Sequence, residues 1–410
     1  MPCSPISASR CSTTRCWSPS PTPAPRRAAT SSCSWPCRSA SPAAPAARRI
    51  RSRCSSSEAG EPAHVQPGGR TMTAKFKTTL RGTMILAMAL ALAACGANGQ
   101  ADERMETAAD VERAFRELSN QGRWGPDDEI GAANFITPEK RRQAAALVQE
   151  GIAVSLAHDI IEEEAADGTT ILNREVLRVS ETGGSDRLQY TGSYHGHVHS
   201  HLDSLDCHVM VAGVGHTGAT LAGIEEAAGC PKGSIHALRN GIVTRGVLYD
   251  ATLLPGKATA DGWLEPGTPV HKADLEALEE IQGVRAGSGD VILLHTGRWM
   301  RRAAVGPWAP ESGVAGYHAD VAYFLKEREV AFIGSDMSTD VFPHGITDDV
   351  AYPLHQLALV SLGVGIFDNL DFTDAAAVAQ RLGRYEFLFT AAPLRIRLGM
   401  GSPINPIATF

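Results

Sequence analysis

Val111, Phe115 and Leu118 recur at helical spacing and predict a helix between about Ala101 and Ser119, after a short polar linker. Thr137-Pro138 opens a second helix, because a Thr cap, Pro at the first helical position and Glu139 in the first turn are start signals, with Gly151 as the stop. Between the two, Trp124 to Asn134 reads as a polar loop. Short apolar or alternating runs then predict strands at 152–156, 171–179, 241–248, 291–294 and 330–333, and helical patterns intervene at 275–281 and 321–326. Strands spaced by helices predict a single mixed α/β domain. No repeat of solenoid length occurs, and Gly287-Ser288-Gly289-Asp290 precedes a strand instead of opening a helix, so it reads as a turn and not as a phosphate cradle.

Charge divides the chain in two. Through Cys95 there are 13 Lys/Arg against 2 Asp/Glu, which leaves 25 against 43 in the remainder. That acidic remainder argues against a nucleic-acid partner. Residues 1–71 are rich in Ser, Pro, Arg and Ala without apolar periodicity, and they read as disordered or as an artefact of too early a start codon, with the artefact favoured. From Met72 the pattern changes. Lys75, Lys77 and Arg81 precede an apolar run from Met84 to Ala94, too short to span a bilayer comfortably and with small residues before the cut at Cys95, which together make residues 72–95 a secretory signal. Leu92-Ala93-Ala94-Cys95 resembles a bacterial lipobox, which implies lipid attachment at Cys95 and a membrane-anchored protein outside the cytoplasmic membrane, on its periplasmic face. A plain transmembrane anchor is the alternative. Seven of the nine cysteines lie at or before Cys95; Cys207 and Cys230 remain, and a disulfide between them is not expected, because Cys207 adjoins His208.

Candidate chemistry concentrates at residues 194–208, which hold five of the 14 histidines and a carboxylate among them. His197 and His201 stand four apart, as paired ligands on one helical turn do, and Asp203 follows two later. Neither a straight helix nor a straight strand brings all three to one ion, since a helix rotates Asp203 about 200° from His201 and a strand sets the histidines roughly 13 Å apart. A bent segment with His197, His201 and Asp203 as ligands is therefore expected, and its nitrogen and oxygen donors suit zinc or manganese. His195 and His199 remain substitutes for His197. An exposed His-rich loop that binds metal adventitiously is the plainer alternative, and the isolated His158, His236, His271 and His318 read as surface or satisfied core residues.

His-x-x-x-His-x-Asp followed by His208 resembles the signature of the cyclase-like metal-dependent hydrolases, a group that includes bacterial kynurenine formamidase and isatin hydrolase. The likeness runs from Trp124-Gly125-Pro126 to about Leu398, with residues 96–122 as linker and first helix and 123–410 as the hydrolase domain. His199, Ser200 and Leu205 stand where the family usually has Gly, Thr and Pro, and His208 comes one residue late. The resemblance implies a swivelling β/β/α architecture, His208 as proton shuttle, and His355 and Asp368 at a second metal or its water, with the second ion left open because Asp368 replaces a longer Glu. It also implies that the Thr296-Gly297 turn lies near the site and that Trp124 helps wall the substrate pocket. The polar cluster that follows the 330–333 strand offers Asp336 or Ser338 as the residue that orients the ligands. His344 is read as exposed. The expected activity is metal-dependent opening of a small amide, formamide or lactone-like ring by activated water. Cyclisation or dehydration at the same site, or a non-catalytic metal- or ligand-binding lipoprotein, are the alternatives. The partner is a small molecule, with a homo-oligomer left open.

Overall fold

A computed structural model describes residues 103–347 and 350–410. The signal segment, the lipobox and Cys95 lie outside the described residues. Thirteen strands occur among them: β1 (Ala153–Ser155), β2 (Leu172–Ser180), β3 (Gly183–Tyr190), β4 (His201–Asp203), β5 (Ile242–Asp250), β6 (Pro269–Val270), β7 (Val291–His295), β8 (Gly316–Tyr317), β9 (Phe332–Ser335), β10 (Gly365–Asp368), β11 (Glu386–Ala391), β12 (Gly401–Pro403) and β13 (Ile407–Thr409). Nine of them form one sheet in the order β1-β13-β11-β5-β7-β9-β10-β4-β12. Its centre, β5-β7-β9-β10, is parallel, and the flanking pairs are antiparallel. This is the mixed α/β class expected from the pattern of strands and helices.

Parallel strands covered on both faces are apolar throughout, which is why Val291 to Leu294 is an unbroken run and every residue of β7 is buried. The first expected helix spans Ala108–Glu117, where Thr107 Oγ1 accepts the Asp110 N–H at 3.2 Å and Asp110 Oδ2 accepts the Thr107 N–H at 3.0 Å, a reciprocal cap. The second, Pro138–Ala145, starts where expected but stops short of Gly151, since residues 147–150 turn the chain into β1. The Leu172–Ser180 run is a strand as expected, yet its partner is the adjacent β3, and the resulting hairpin stands apart from the large sheet with almost every residue exposed. Among the described residues, no helix is long and apolar enough to cross a membrane.

Candidate metal centre

The site forms where β4 pairs with β10. Their antiparallel register sets His201 opposite Asp368, and residues opposite one another project from the same face of a sheet. Asp203, two positions along β4, shares that face. His201 Nε2 lies 3.5 Å from Asp203 Oδ1 and 3.8 Å from Asp368 Oδ2. His355 enters from the helix Pro353–His355, with Nε2 3.3 Å from Asp368 Oδ2 and 3.8 Å from Asp203 Oδ2. Four of the five expected ligands are thus gathered at one buried place.

The fifth position differs. The bend before β4 brings His195, not His197, to the cluster: His195 Nδ1 is 3.0 Å from Asp203 Oδ1, and its ring stands edge-on to His201 with centroids 5.0 Å apart. Gly401, paired with Asp203 across β12, makes room for it, since a Cβ there would meet His195 Cε1 at 2.6 Å. His197 turns instead into a neighbouring cavity of about 260 Å³, walled also by Glu311, Phe342, His344 and Tyr352. The reason is long-range. Arg298 Nη2 donates to the His197 carbonyl, and Asn369 Nδ2 donates to the carbonyls of Gly196 at 2.7 Å and His199 at 3.3 Å, so two residues far along the chain set the course of the bend. Asn369 holds φ 55°, a left-handed conformation that Asn tolerates. His199 is committed elsewhere, its Nε2 lying 2.8 Å from the Thr170 carbonyl.

His208 does join the group. Its Nε2 is 3.6 Å from Asp203 Oδ1 and its ring stacks on His195 at 4.0 Å and 14°. The side chain keeps 28% of its surface exposed, against 0% for Asp203. A left-handed Cys207, φ 75°, presents it, and Cys207 is joined to Cys230 with Cα atoms 5.7 Å apart. The expectation of unpaired cysteines is therefore wrong: adjacency to His208 does not oppose the bridge, which ties down the loop that carries it.

The supporting residues also differ from those expected. Asp336 does not orient the ligands; it accepts the backbone N–H groups of Thr296, Gly297 and Arg298 at 2.9, 3.0 and 3.3 Å and so builds the turn that aims Arg298 at the bend. Ser338 lines the cavity without a hydrogen bond to any ligand among the described contacts. The orienting carboxylate is Asp340, whose Oδ2 lies 2.5 Å from His355 Nδ1, and which also receives the N–H groups of Leu354 and His355. Thr339 donates its N–H and hydroxyl to Asp368 Oδ1 at 2.9 and 2.7 Å, leaving Oδ2 for His355. Trp124 packs edge-on against Phe135 at 5.3 Å and does not line the cavity beside His197, while His344, read as exposed, is half-buried at that cavity's wall. Asp340 and Thr339 lie in the polar cluster after β9, which marks a site in outline but not which of its residues faces it.

Electrostatics single out the same residues. Burial works against the charged form of His355, yet Asp368 and Asp340 outweigh it and push the imidazole well above its ordinary value. Burial also works to raise Asp368, but His355 beside it holds the carboxyl below the usual range. For His208 burial wins over the Asp203 carboxylate and lowers its value. Both oxygens of Asp203 are buried without accepting a hydrogen bond, even though His195 Nδ1 is 3.0 Å away. A buried carboxylate with no donor is costly unless paired or bound to a cation, so the donor set fits a divalent ion. Two overlapping groups, His195–His201–Asp203 and Asp203–His355–Asp368, each keep one ligand atom per residue within 4.8 Å of the others.

Residues 154–341 match a protein-family model described as "Putative cyclase". Among solved structures the chain is similar to one described as a novel cyclase, at 28% identity and a TM-score of 0.63, over 72% of this chain and 99% of that one. Isatin hydrolase A from Labrenzia aggregata is more distant, at 18% identity, a TM-score of 0.44 and 65% and 96% coverage. So is a "predicted metal-dependent hydrolase" from Bacillus stearothermophilus, at 16% identity, a TM-score of 0.38 and 63% and 97% coverage. No curated protein sequence matches the chain significantly.

Proposed function

From the premise that residues 154–341 are a cyclase-family region, we propose that the protein is a metal-dependent hydrolase that opens a small amide, formamide or lactone-like ring. The observation that carries the reading is Asp203: a fully buried carboxylate, bare of hydrogen bonds, ringed by His195, His201, His208 and His355. His195, His201 and Asp203 would hold one ion, and His355 and Asp368 would hold a second or share the first through Asp203. Zinc and manganese both suit these donors. A divalent ion in such a site supplies a Lewis acid and an ionisable water near neutral pH.

The chain's own residues do the rest. His208 faces Asp203 from the partly exposed side, where an imidazole takes a proton from the attacking water and returns it to the departing nitrogen or oxygen. Asp340 fixes the His355 ring by holding Nδ1, which directs Nε2 into the site. The cavity beside His197 receives the substrate's carbon skeleton, and its aromatic walls, Phe342 and Tyr352, favour a flat or aryl group in place of the role expected of Trp124. The same proposal keeps the enzyme lipid-anchored at Cys95 on the periplasmic face, which the Cys207–Cys230 bridge supports, since disulfides persist in oxidising compartments.

Replacing His208 with Ala tests the core of this. The variant is expected to retain its metal by elemental analysis and to lose on the order of 10²–10⁴-fold in kcat, the range a positioned acid/base supplies, towards aryl formamides, isatin or lactones. Unchanged turnover with unchanged metal would remove His208 from the mechanism; inactivity of the parent on every ring and amide tried, with metal present, would remove the hydrolase reading itself.

A further inference from the structure

A second cluster of metal-type donors lies outside the site above, at His271, His318 and Asp320, two of them histidines whose isolation in the sequence suggests surface or core roles. Topology explains the meeting. The short strands β6 and β8 pair in parallel, Val270 beside Tyr317, so the residues that follow them, His271 and His318, emerge side by side with ring centroids 4.4 Å apart. The His318 N–H donates to the Val270 carbonyl at 2.8 Å and closes the pair. Asp320 then directs one oxygen at both rings: His271 Nδ1 is 2.8 Å and His318 Nδ1 3.3 Å from the same Oδ2.

Helix capping accounts for only part of this. Asp320 Oδ1 accepts the Lys272 N–H at 3.1 Å, as a cap would, and His271 can donate to Oδ2. His318 takes no part in capping the Lys272–Gln282 helix. Its Nδ1 accepts the Asp320 N–H at 3.3 Å, so its lone pair lies on the side of the ring that faces Oδ2. A nitrogen lone pair and a carboxylate oxygen directed at one point call for a proton or a metal cation between them. The local charge does not forbid one: the two helix N-termini present partial positive charge, but Asp320 and Asp274 sit at the caps, and the Lys272 ammonium is turned to Glu103 and Glu327 at 2.9 and 2.7 Å. The cluster is also reachable, with 39% of the His271 side chain, 20% of Asp320 and 11% of His318 exposed.

We propose that His271, His318 and Asp320 form a separate binding site for one zinc-class divalent ion, held by two imidazole Nδ1 atoms and one carboxylate oxygen with water completing the shell, which clamps the starts of helices Lys272–Gln282 and Val321–Arg328. The site shares no residue with the Asp203 cluster, so its occupancy is counted separately.

The test is a calorimetric titration of the metal-stripped full chain with Zn²⁺, comparing the parent with His271→Gln and His318→Ala. Each variant is expected to take up one equivalent fewer, or to hold it more than about a hundredfold more weakly, which exceeds the 10–100-fold cost of changes outside the ligand shell. His271 is partly exposed, so the His271→Gln variant keeps the packing of the fold, and a parent-like circular dichroism spectrum verifies this before the titration is read. The same number of equivalents at the same affinity in parent and folded variant would overturn the proposal and leave a proton, or an adventitious ion, as all that the cluster holds. Metal at the Asp203 cluster contributes equally to parent and variants, so the difference reports on this site whatever the fate of the hydrolase reading.

Discussion

Asp340 shows how one residue can govern a site it does not itself enter. Its Oδ2 holds His355 Nδ1 at 2.5 Å while its two oxygens receive the first N–H groups of the following helix, so ring orientation and helix start depend on one carboxylate. Asp340→Asn keeps an acceptor for the backbone but loses the charge that fixes the ring's proton on Nδ1. Metal affinity is expected to fall about 10–100-fold, the usual cost of losing such a partner, with a near-parental melting temperature; an unchanged affinity in a zinc titration would show that His355 needs no orienting group. At this scale the sequence is readable only in part. His201, Asp203, His208, His355 and Asp368 could be picked out because few residue types bind metal or move protons, and spacing narrows them further. Choosing His195 over His197 was beyond reach, since both lie in one bend whose course is set by Arg298 and Asn369, about a hundred and more positions away.

Among the elements, β4 illustrates why a helix-based spacing argument stops short. His201 and Asp203 share a face through the period of two in a strand, not through a helical turn, and the neighbouring strand adds Asp368 opposite His201. The bent segment thus supplies three donors by itself, His195, His201 and Asp203, and the strand pair adds the rest of the site. Short strands such as β12 and β13 are three residues each and carry too little pattern to be seen, whereas β5 and β7 show alternating or continuous apolar positions that are visible. The loop beyond β4 returns to the sheet through the Cys207–Cys230 bridge, around which Ala219, Ile224 and Met400 form a small apolar cluster of their own. With a sequence separation of 23, the bridge is expected to stabilise the fold by about 3 kcal/mol through the unfolded chain. Replacing both cysteines with Ser should lower the urea midpoint accordingly and, because Cys207 carries His208 into place, reduce kcat as well. Lost stability with full turnover would mean that β4 alone positions His208.

For the molecule as a whole, the metal centre joins parts of the chain that have little else in common. Asp203 and Asp368 belong to adjacent strands and His355 to a helix that follows the cavity wall, so an ion held by them would link three separate elements, with His208 facing it from a disulfide-tied loop. Such an ion binds the native arrangement and not the unfolded chain, and therefore stabilises it by mass action, about 2.7 kcal/mol when free metal is a hundredfold above the dissociation constant. Stripping the protein with a chelator is expected to lower the melting temperature by several degrees, and zinc or manganese should restore it in a concentration-dependent way. The Asp203→Asn variant separates this effect from general ionic stabilisation: it removes the carboxylate shared by both donor groups, so its melting temperature should respond far less to added metal than the parent's. A full parental response in that variant would place the stabilising ion elsewhere, with the His271–His318–Asp320 cluster the first place to look, because it clamps two helix starts without drawing on Asp203.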